Sequence, residues 1–280
     1  MFPQPSAIGF SRRDLLKGIA AAGVGTAAGA VAHGYLYQRH QIALTRQTLA
    51  VSGLPALLSG FRIGFITDLH RSHTVPHEMV ALAVRMTMAE APDLVVLGGD
   101  YVTWGDRRFV APVADALAPL SAPHGVVAVL GNHDDDRDMP AALAAKGFAV
   151  LRDARTRLTV RGETLDIAGL RFWTRRVTDI ANVLRGASPT VVLVAHTPMR
   201  LFEAAALAVP LVLSGHTHGG QIVLPGIGAV AAREFPVIAG VGLRESTAIF
   251  VSRGVGTVYV PVRLNCPPEV AILTLEPSVP

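Results

Sequence analysis

Two histidines stand one residue apart in SGHTHGGQ, residues 214–221. Such a segment is either a polar, glycine-rich surface turn or a pair of metal ligands on a backbone that can bend tightly. Four other polar stretches in the chain carry the same kinds of side chain. They are TDLH at 67–70, GGD at 98–100, GNHD at 131–134 and the isolated His196. All of them offer nitrogen and oxygen donors without a thiolate, which suits Mn²⁺, Fe or Zn²⁺.

Each polar stretch follows a short apolar run. The runs are RIGFI (62–66), DLVVL (93–97), GVVAVL (125–130), VVLVA (191–195) and PLVL (210–213). Helical patterns near 76–90, 107–119, 139–146 and 199–208 separate them, 157–173 alternates like a hairpin, and 248–261 and 270–276 are strand-like again. Continuous apolar runs between helices predict strands buried on both faces, and hence an α/β fold. Because ligands of such a sheet bind beyond the carboxyl ends of its strands, the polar stretches should meet at one place.

The polar stretches supply more ligands than one tetrahedral ion needs. The candidates are Asp68, His70, Asp100, Asn132, His196, His216 and His218. A carboxylate can bridge two ions, and two-metal phosphatase sites hold their ions about 3.5–4 Å apart. The sequence therefore predicts a two-metal site for a phosphate ester. Taken singly, Asp68 and Asp100 could merely cap helices, and a lone strand-end histidine such as His196 is usually structural.

The motifs D-x-H, G-G-D, G-N-H-D, a strand-end histidine and G-H-x-H, in that order, resemble the calcineurin-like metallophosphoesterases from about Phe61 to Leu275. The tail at 251–275 is similar to a bacterial branch of secreted or membrane-associated phosphodiesterases, which includes enzymes that split the pyrophosphate of UDP-2,3-diacylglucosamine. The resemblance implies a domain at 61–277 with a four-layer αββα sandwich, in which two mixed β-sheets are flanked by helices.

The resemblance also implies roles for single residues. One metal would be bound by Asp68, His70 and His218, the other by Asn132, His196 and His216, and Asp100 would bridge the two. A metal-bridging hydroxide would attack phosphorus in line, and His133 would protonate the leaving oxygen. The glycines beside the two histidines of 214–221 would let the backbone bend next to the metals.

Five further residues have weaker expectations. Asp134 is expected to orient His133. Arg253 and Arg263 are expected to meet the phosphate or head group of the substrate, with exposed basic residues at strand ends as the alternative. Trp104 and Trp173 are expected to pack in the interior, although Trp104 follows Asp100 closely enough to line the cleft.

Composition restricts the class of protein. The 280 residues are 50% hydrophobic with a formal charge of +4, and no basic cluster indicates nucleic acid. The single cysteine excludes an internal disulfide and a multi-cysteine metal site. SRRDLLK at 11–17 precedes an Ala- and Gly-rich run that ends in AVA, so residues 1–32 are predicted to be a twin-arginine (Tat) signal. The alternatives are an ordinary N-terminal helix or, although the run is short for a membrane span, an uncleaved tilted anchor. Residues 33–60 are predicted to be an approach segment.

These observations predict a di-metal phosphoesterase, exported to the periplasm or facing outward on the membrane surface. Its substrate would be a phosphodiester or pyrophosphate diester of the cell envelope or linked to a lipid. The segment at 224–246 is predicted to be the loop that determines substrate specificity. The alternative is a catalytically weak member of the same fold that acts as a metal-containing binding scaffold. A purely structural metal site is disfavoured, because such a site closes at four ligands.

Overall fold

The computed structural model describes residues 12–278, apart from the side chains of residues 14 and 15. Residues 1–11 of the predicted twin-arginine signal lie outside the described residues. The helices are α1 Arg12–Leu36, α2 His77–Ala89, α3 Val110–Leu117, α4 Asp138–Ala144, α5 Val177–Leu184 and α6 Leu201–Ala206. The strands are β1 Ala43–Val51, β2 Phe61–Ile66, β3 Leu94–Leu97, β4 Val126–Ala128, β5 Ala149–Val150, β6 Ala154–Val160, β7 Glu163–Gly169, β8 Val191–Val194, β9 Leu211–Ser214, β10 Val223–Leu224, β11 Gly228–Ala229, β12 Gly240–Arg244, β13 Thr247–Val251 and β14 Glu269–Pro277.

Twelve of these strands form two mixed sheets. The first sheet has the order β1-β14-β2-β3-β4-β5, and the second has the order β12-β13-β9-β8-β7-β6. In the first, β2 to β5 are mutually parallel and β14 is antiparallel to β2. In the second, β7, β8, β9 and β13 are parallel, while β6 and β12 run antiparallel to their neighbours. The predicted hairpin is confirmed as β6 and β7, and it begins a few residues earlier than expected.

The two sheets face each other and carry helices on their outer faces. Successive side chains of a strand point to opposite faces. In β3, accordingly, Leu94 and Val96 belong to the core between the sheets, whereas Val95 and Leu97 pack in the core under α2 and α3. A third core lies between the second sheet and helices α5 and α6. The predicted α/β fold with a four-layer αββα arrangement is confirmed, and burial on both faces explains why the strands are continuously apolar.

The predicted approach segment at 33–60 requires a correction. Residues 43–51 form β1, which pairs in parallel with β14 over its whole length. The strand lies at the edge of the sheet and carries exposed polar residues such as Arg46 and Thr48, so its sequence lacks the apolar run that marks a central strand. The predicted strand at 248–261 is also shorter: regular pairing ends at Val251, and residues 252–261 form a loop.

Helix α1 covers residues 12–32 of the predicted signal and continues past it to Leu36. Its 25 residues correspond to about 37 Å at 1.5 Å per residue, and its composition and length suffice to cross a membrane. Nearly all of its described side chains are exposed, and Gly34, near its end, is buried. The sequence suggested that the apolar run is short for a membrane span. The helix is longer than this run, and its whole length is sufficient to cross a membrane.

Candidate metal centre

All seven predicted metal ligands follow the carboxyl ends of parallel strands. Asp68 and His70 follow β2, Asp100 follows β3, Asn132 follows β4, His196 follows β8, and His216 and His218 follow β9. The carboxyl ends of β2, β3 and β4 lie at one edge of the first sheet, and those of β8 and β9 lie at the facing edge of the second. The two sheets thus bring five separate segments of the chain to one place, as the strand pattern predicts.

The ligand atoms form two groups of three. In each group the atoms lie within 4.8 Å of one another: Asp68, His70 and His218 in the first, Asp100, His196 and His216 in the second. Asp100 Oδ2 lies 3.2 Å from His196 Nε2 and 3.5 Å from His70 Nε2. The carboxylate of Asp100 therefore reaches into both groups, where a bridging ligand is needed.

Two buried atoms that could bind a metal have no hydrogen-bond partner among the described residues. Asn132 Oδ1 and His196 Nε2 are shielded from solvent, and neither has a hydrogen-bond partner within the described residues. A buried polar atom without a partner is costly unless a ligand satisfies it. These atoms, together with carboxylate and imidazole donors and no thiolate, fit a pair of hard or borderline divalent cations.

Electrostatics keep most of these imidazoles available as ligands. Burial lowers the pKa of His70 to about 4 and that of His216 to about 3, and it lowers the pKa of His218 well below its ordinary value. Neutral imidazoles retain the lone pair that a metal needs. His196 differs: burial acts to lower its pKa, but the carboxylate of Asp100 outweighs burial and raises the pKa to about 10. The carboxylate of Asp100 thus favours positive charge beside His196 Nε2, which is where a cation would bind.

The ligand loops have a strained backbone. Asp68, His70, Asp100, His216 and His218 all have φ between +47° and +71°, the left-handed region that non-glycine residues rarely adopt. Each such residue costs of order 1–3 kcal/mol, and strain of this kind clusters at functional sites. Hydrogen bonds between the loops keep the backbone in this conformation.

Those hydrogen bonds connect one ligand segment to the next. The amide of Asp68 donates to the carbonyl of Gly99 at 2.9 Å, and the amide of His216 donates to Asp68 Oδ1 at 3.0 Å. Gly215 allows this approach, because a Cβ there would collide with the side chains of Thr67 and Asp68. The role predicted for glycine beside the histidine pair thus has a direct steric cause.

His133 lies next to the metal ligands, and its ring is held from one side. Its Nδ1 accepts a hydrogen bond from the amide of Trp104 at 3.2 Å, so Nε2 carries the proton of the neutral ring. The ring centroid lies 5.0 Å from that of His70 and 4.3 Å from that of Trp104. Burial lowers the pKa of His133.

The expectation that Asp134 orients His133 is wrong. The carboxylate of Asp134 accepts hydrogen bonds from the amides of Gly131 (2.8 Å), Asp100 (2.8 Å) and Tyr101 (2.7 Å). Burial raises the pKa of Asp134 to about 7. Asp134 therefore holds the loop after β3 against the loop after β4, and it positions Asp100 rather than His133.

The expectation of substrate contact is wrong for Arg263, whereas for Arg253 it stays a prediction. Arg263 is 0% exposed, and its guanidinium donates to the backbone carbonyls of Arg253 at 2.8 Å and Gly254 at 3.1 Å. Arg253 pairs with Glu269 at 2.9 Å. The alternative of exposed basic residues fails for Arg263 as well. Both arginines organise the loop at 252–263, which passes beside Asp68.

Three aromatic residues near the site were missed or misjudged. Phe172 lies with its ring centroid 5.3 Å from that of His216. It follows the carboxyl end of β7, but the strand-end rule applies to polar residues and does not find it. Trp104 and Trp173 are 68% and 67% exposed, so neither packs in the interior. The alternative for Trp104, that it lines the cleft, agrees with its position beside His133. The predicted specificity loop contributes Phe235, whose ring centroid lies 5.2 Å from that of His216.

Comparison with known proteins agrees with this geometry. The calcineurin-like phosphoesterase family matches residues 61–220, a stretch that contains both ligand groups. The chain belongs to this family. The predicted metallophosphoesterase fold and phosphoester hydrolase activity are thereby confirmed.

Several relatives of this phosphoesterase align over most of their length. An uncharacterized metallophosphoesterase of Bacillus subtilis, YkuE, is 32% identical over 95% of this chain and 98% of its own. Phosphodiesterase YaeI of Escherichia coli is 30% identical over 95% of this chain and 99% of its own. The UDP-2,3-diacylglucosamine pyrophosphatase LpxG of Chlamydia trachomatis is 25% identical over 78% of this chain and 84% of its own.

Proposed function

We propose that this phosphoesterase is a two-metal enzyme that hydrolyses a phosphodiester or pyrophosphate diester of the cell envelope. One observation carries the proposal: two three-residue ligand groups adjoin each other, and Asp100 reaches both. One structural ion would need four ligands and would leave no reason for the second group. The names of the YaeI and LpxG relatives support a diester and a lipid-linked substrate.

Two bound divalent ions would supply a hydroxide nucleophile at neutral pH and stabilise the charge on the phosphoryl oxygens. Asp68, His70 and His218 would hold one ion, and Asn132, His196 and His216 the other, with Asp100 between them. Side chains of the protein position the ligands and the acid. Asp134 fixes the amide of Asp100, and Asp100 Oδ1 accepts from the amide of His133 at 2.8 Å, so ligand and acid keep a constant separation.

His133 would donate the proton that the departing oxygen needs. In the neutral ring Nε2 carries the proton, because Nδ1 accepts from the amide of Trp104. Transfer to the departing oxygen would start from the imidazolium, in which Nδ1 is protonated as well and releases that amide. His133 lines the same cavity as Asn132 and His216, a space of about 230 Å³. A positioned general acid contributes typically about 10²–10⁴-fold to the rate.

We further propose that the chain is exported by the twin-arginine machinery and that α1 serves as its signal or remains as an anchor. The support is the pair Arg12 and Arg13 ahead of a helix that is long and apolar enough to cross a membrane. Arg12→Lys with Arg13→Lys keeps the charge and should retain the protein in the cytoplasm, as judged by cell fractionation. Arg46→Lys, on the surface of β1, is the control. Unchanged distribution of the double variant would contradict this route.

The catalytic proposal is tested by metal analysis and diester hydrolysis on one preparation. The full chain should contain close to two transition-metal ions and should cleave bis(p-nitrophenyl) phosphate. Asp100→Asn should lose metal and reduce turnover by at least about 10²-fold, because it removes the charge that both ligand groups share. Asp115→Asn, an exposed carboxylate on α3, is the matched control. A protein that holds its metal yet hydrolyses no phosphate ester would contradict catalysis and favour the binding scaffold.

A further inference from the structure

Three cavities join to form one cleft across the metal centre. The central cavity is lined by His218 of the first ligand group, by Asp100 and His216 of the second, and by His133, and it shares Asn132 with a second cavity of about 490 Å³. It shares Val258 and Tyr259 with a third, also of about 490 Å³, on the other side. A substrate held at the metals would therefore extend in two directions, and the two directions differ in chemistry.

The second cavity is polar. Its walls include Asp153, Arg171, Arg175 and the exposed ring of Trp173. Charged hydrogen-bonding groups beside an aromatic face suit a hydrophilic head group with hydroxyl or anionic substituents. We refer to this space as the polar cavity.

The third cavity has an aromatic and apolar wall, formed by Trp104, Phe109, Tyr259 and Val260. The rest of its lining is largely polar, from residues 72–74, Thr103, Asp106 and Thr257, so the space suits a hydrocarbon chain joined to a polar linkage. Tyr259 is 79% exposed, and its ring centroid lies 5.4 Å from that of Trp104. We refer to this space as the aromatic cavity.

Trp104 and Tyr259 have a backbone conformation that costs conformational free energy. Trp104 and Tyr259 both have left-handed backbone, with φ of 54° and 60°. Non-glycine residues adopt this conformation at a cost of order 1–3 kcal/mol, and it is found at ligand clamps. Exposed aromatic rings in strained backbone indicate a binding surface rather than a packing core.

The aromatic cavity lies beside the end of α1. The amide of Arg263 donates to the carbonyl of Gly34 at 3.4 Å, and a Cβ at Gly34 would collide with Val262, two residues beyond Val260. Arg39, just after α1, donates to the carbonyl of Thr74 in the cavity lining. If α1 lies in a bilayer, the cavity opens close to the membrane interface, where tryptophan and tyrosine are favoured.

His133 lies on the aromatic side of the metals. Its ring centroid is 4.3 Å from that of Trp104 and 6.4 Å from that of Tyr259, both of which line the aromatic cavity. The oxygen that receives the proton of His133 is therefore the one attached to whatever occupies that cavity.

We infer that the aromatic cavity takes the hydrocarbon part of an amphiphilic phosphodiester from the bilayer and that this part is the leaving group. The inference rests on the proposed hydrolysis. The oxygen of water bonds to phosphorus, the bond from phosphorus to the hydrocarbon-bearing oxygen breaks, and that oxygen takes a proton to become an alcohol. The phosphate stays with the head group in the polar cavity, and the second proton of water passes to solvent.

Regiochemistry tests the assignment directly. The probe is a phosphodiester that joins dodecanol to glycerol, given to the full chain in digitonin, a detergent without phosphate or an alkyl chain, in ¹⁸O-water. The expected products are unlabelled dodecanol and glycerol phosphate that carries ¹⁸O. Dodecyl phosphate and free glycerol would overturn the inference, because the hydrocarbon would then lie on the side away from His133.

Chain-length preference tests the occupant of the cavity. Replacing ethyl by dodecyl in the same glyceryl phosphodiester should raise kcat/KM at least 100-fold. Tyr259→Ser should reduce this preference at least tenfold, whereas Leu243→Ser, which is 72% exposed on β12, should leave it unchanged. Equal kcat/KM for the ethyl and dodecyl esters, or equal effects of the two variants, would overturn the inference.

Binding without turnover separates this inference from the proposed function. Trp173→Phe leaves Trp104 as the single tryptophan, so its emission reports on the aromatic cavity alone. Monododecyl phosphate should shift this emission to the blue in metal-free protein, and ethyl phosphate should not. A shift without hydrolysis of any diester would refute only the catalytic proposal. Hydrolysis of bis(p-nitrophenyl) phosphate without a shift would refute only the cavity assignment.

Discussion

Replacement of Arg263 by methionine is expected to destabilise the protein by about 4 kcal/mol, although the residue binds no substrate. Its guanidinium donates to the carbonyls of Arg253, Gly254, Gly256 and Cys266, all within 3.3 Å. Burial lowers its pKa to about 10, and the group stays charged at neutral pH. Methionine retains the apolar contacts of the side chain and removes every donor.

The magnitude follows from the carbonyls that lose their partner. Gly254 keeps a second hydrogen bond, from the amide of Glu269. The carbonyls of Arg253, Gly256 and Cys266 have no other donor within the described residues. Each buried acceptor left without a partner costs about 1–3 kcal/mol, which gives about 4 kcal/mol once local rearrangement satisfies part of the loss.

Urea unfolding followed by tryptophan fluorescence measures this loss. For a chain of this size, about 4 kcal/mol corresponds to a Tm lowered by about 8–16 °C. Arg233→Met is the matched control, because the side chain of Arg233 is exposed and also donates to backbone carbonyls, those of Ala229 and Ile227. The control should change stability by less than about 0.5 kcal/mol. If Arg263→Met loses no more than Arg233→Met, the carbonyl network does not stabilise the loop and the reasoning is wrong.

Three further perturbations have defined outcomes. Gly215→Ala should push the carboxylate of Asp68 away and lower the metal content, measured by elemental analysis, to about one ion per chain; two retained ions would contradict the steric reading. His133→Asn should slow an alkyl diester by about 10²–10⁴-fold but a p-nitrophenyl diester far less, since that leaving group needs no proton; equal losses would argue against a general acid. Asp166→Asn should cost about 2 kcal/mol at pH 7, because burial raises the pKa of Asp166 but hydrogen bonds from arginine side chains outweigh it and lower the pKa. A lowered folded-state pKa means that this stability is present above the ordinary value of 3.8 and is lost as the pH falls through the folded-state pKa. The urea midpoints of the wild type and the variant should therefore converge as the pH is lowered below 3.8, whereas Asp136→Asn, at an exposed carboxylate, should have the midpoint of the wild type at pH 7.

The positions of the candidate metal ligands were predictable because they depend on a local signal. A polar residue directly after a buried strand lies at the edge of the sheet, whatever the rest of the chain does. Five such signals in a fixed order indicated the ligands and the family. Phe172 follows the carboxyl end of β7 as well, but an apolar residue at a strand end carries no such signal.

The roles of Arg253, Arg263 and Asp134 could not be predicted in the same way. Each depends on what lies opposite the side chain in space. A basic residue in a loop near a phosphate site resembles a substrate contact, but Arg263 faces backbone carbonyls of its own loop and is wholly buried. Asp134 follows His133 in sequence, yet its carboxylate turns towards three amides.

The sequence by itself determined the fold class, the ligand set and the apolar character of the first helix, because these depend on residue type and on spacing along the chain. Only the tertiary structure decided that β1 belongs to the sheet, that two cavities with different linings flank the candidate metal centre, and that His133 lies on the aromatic side. The physical reason is that an edge strand, a cavity wall and the orientation of a ring are each determined by contacts between residues far apart in sequence. No local pattern records those contacts.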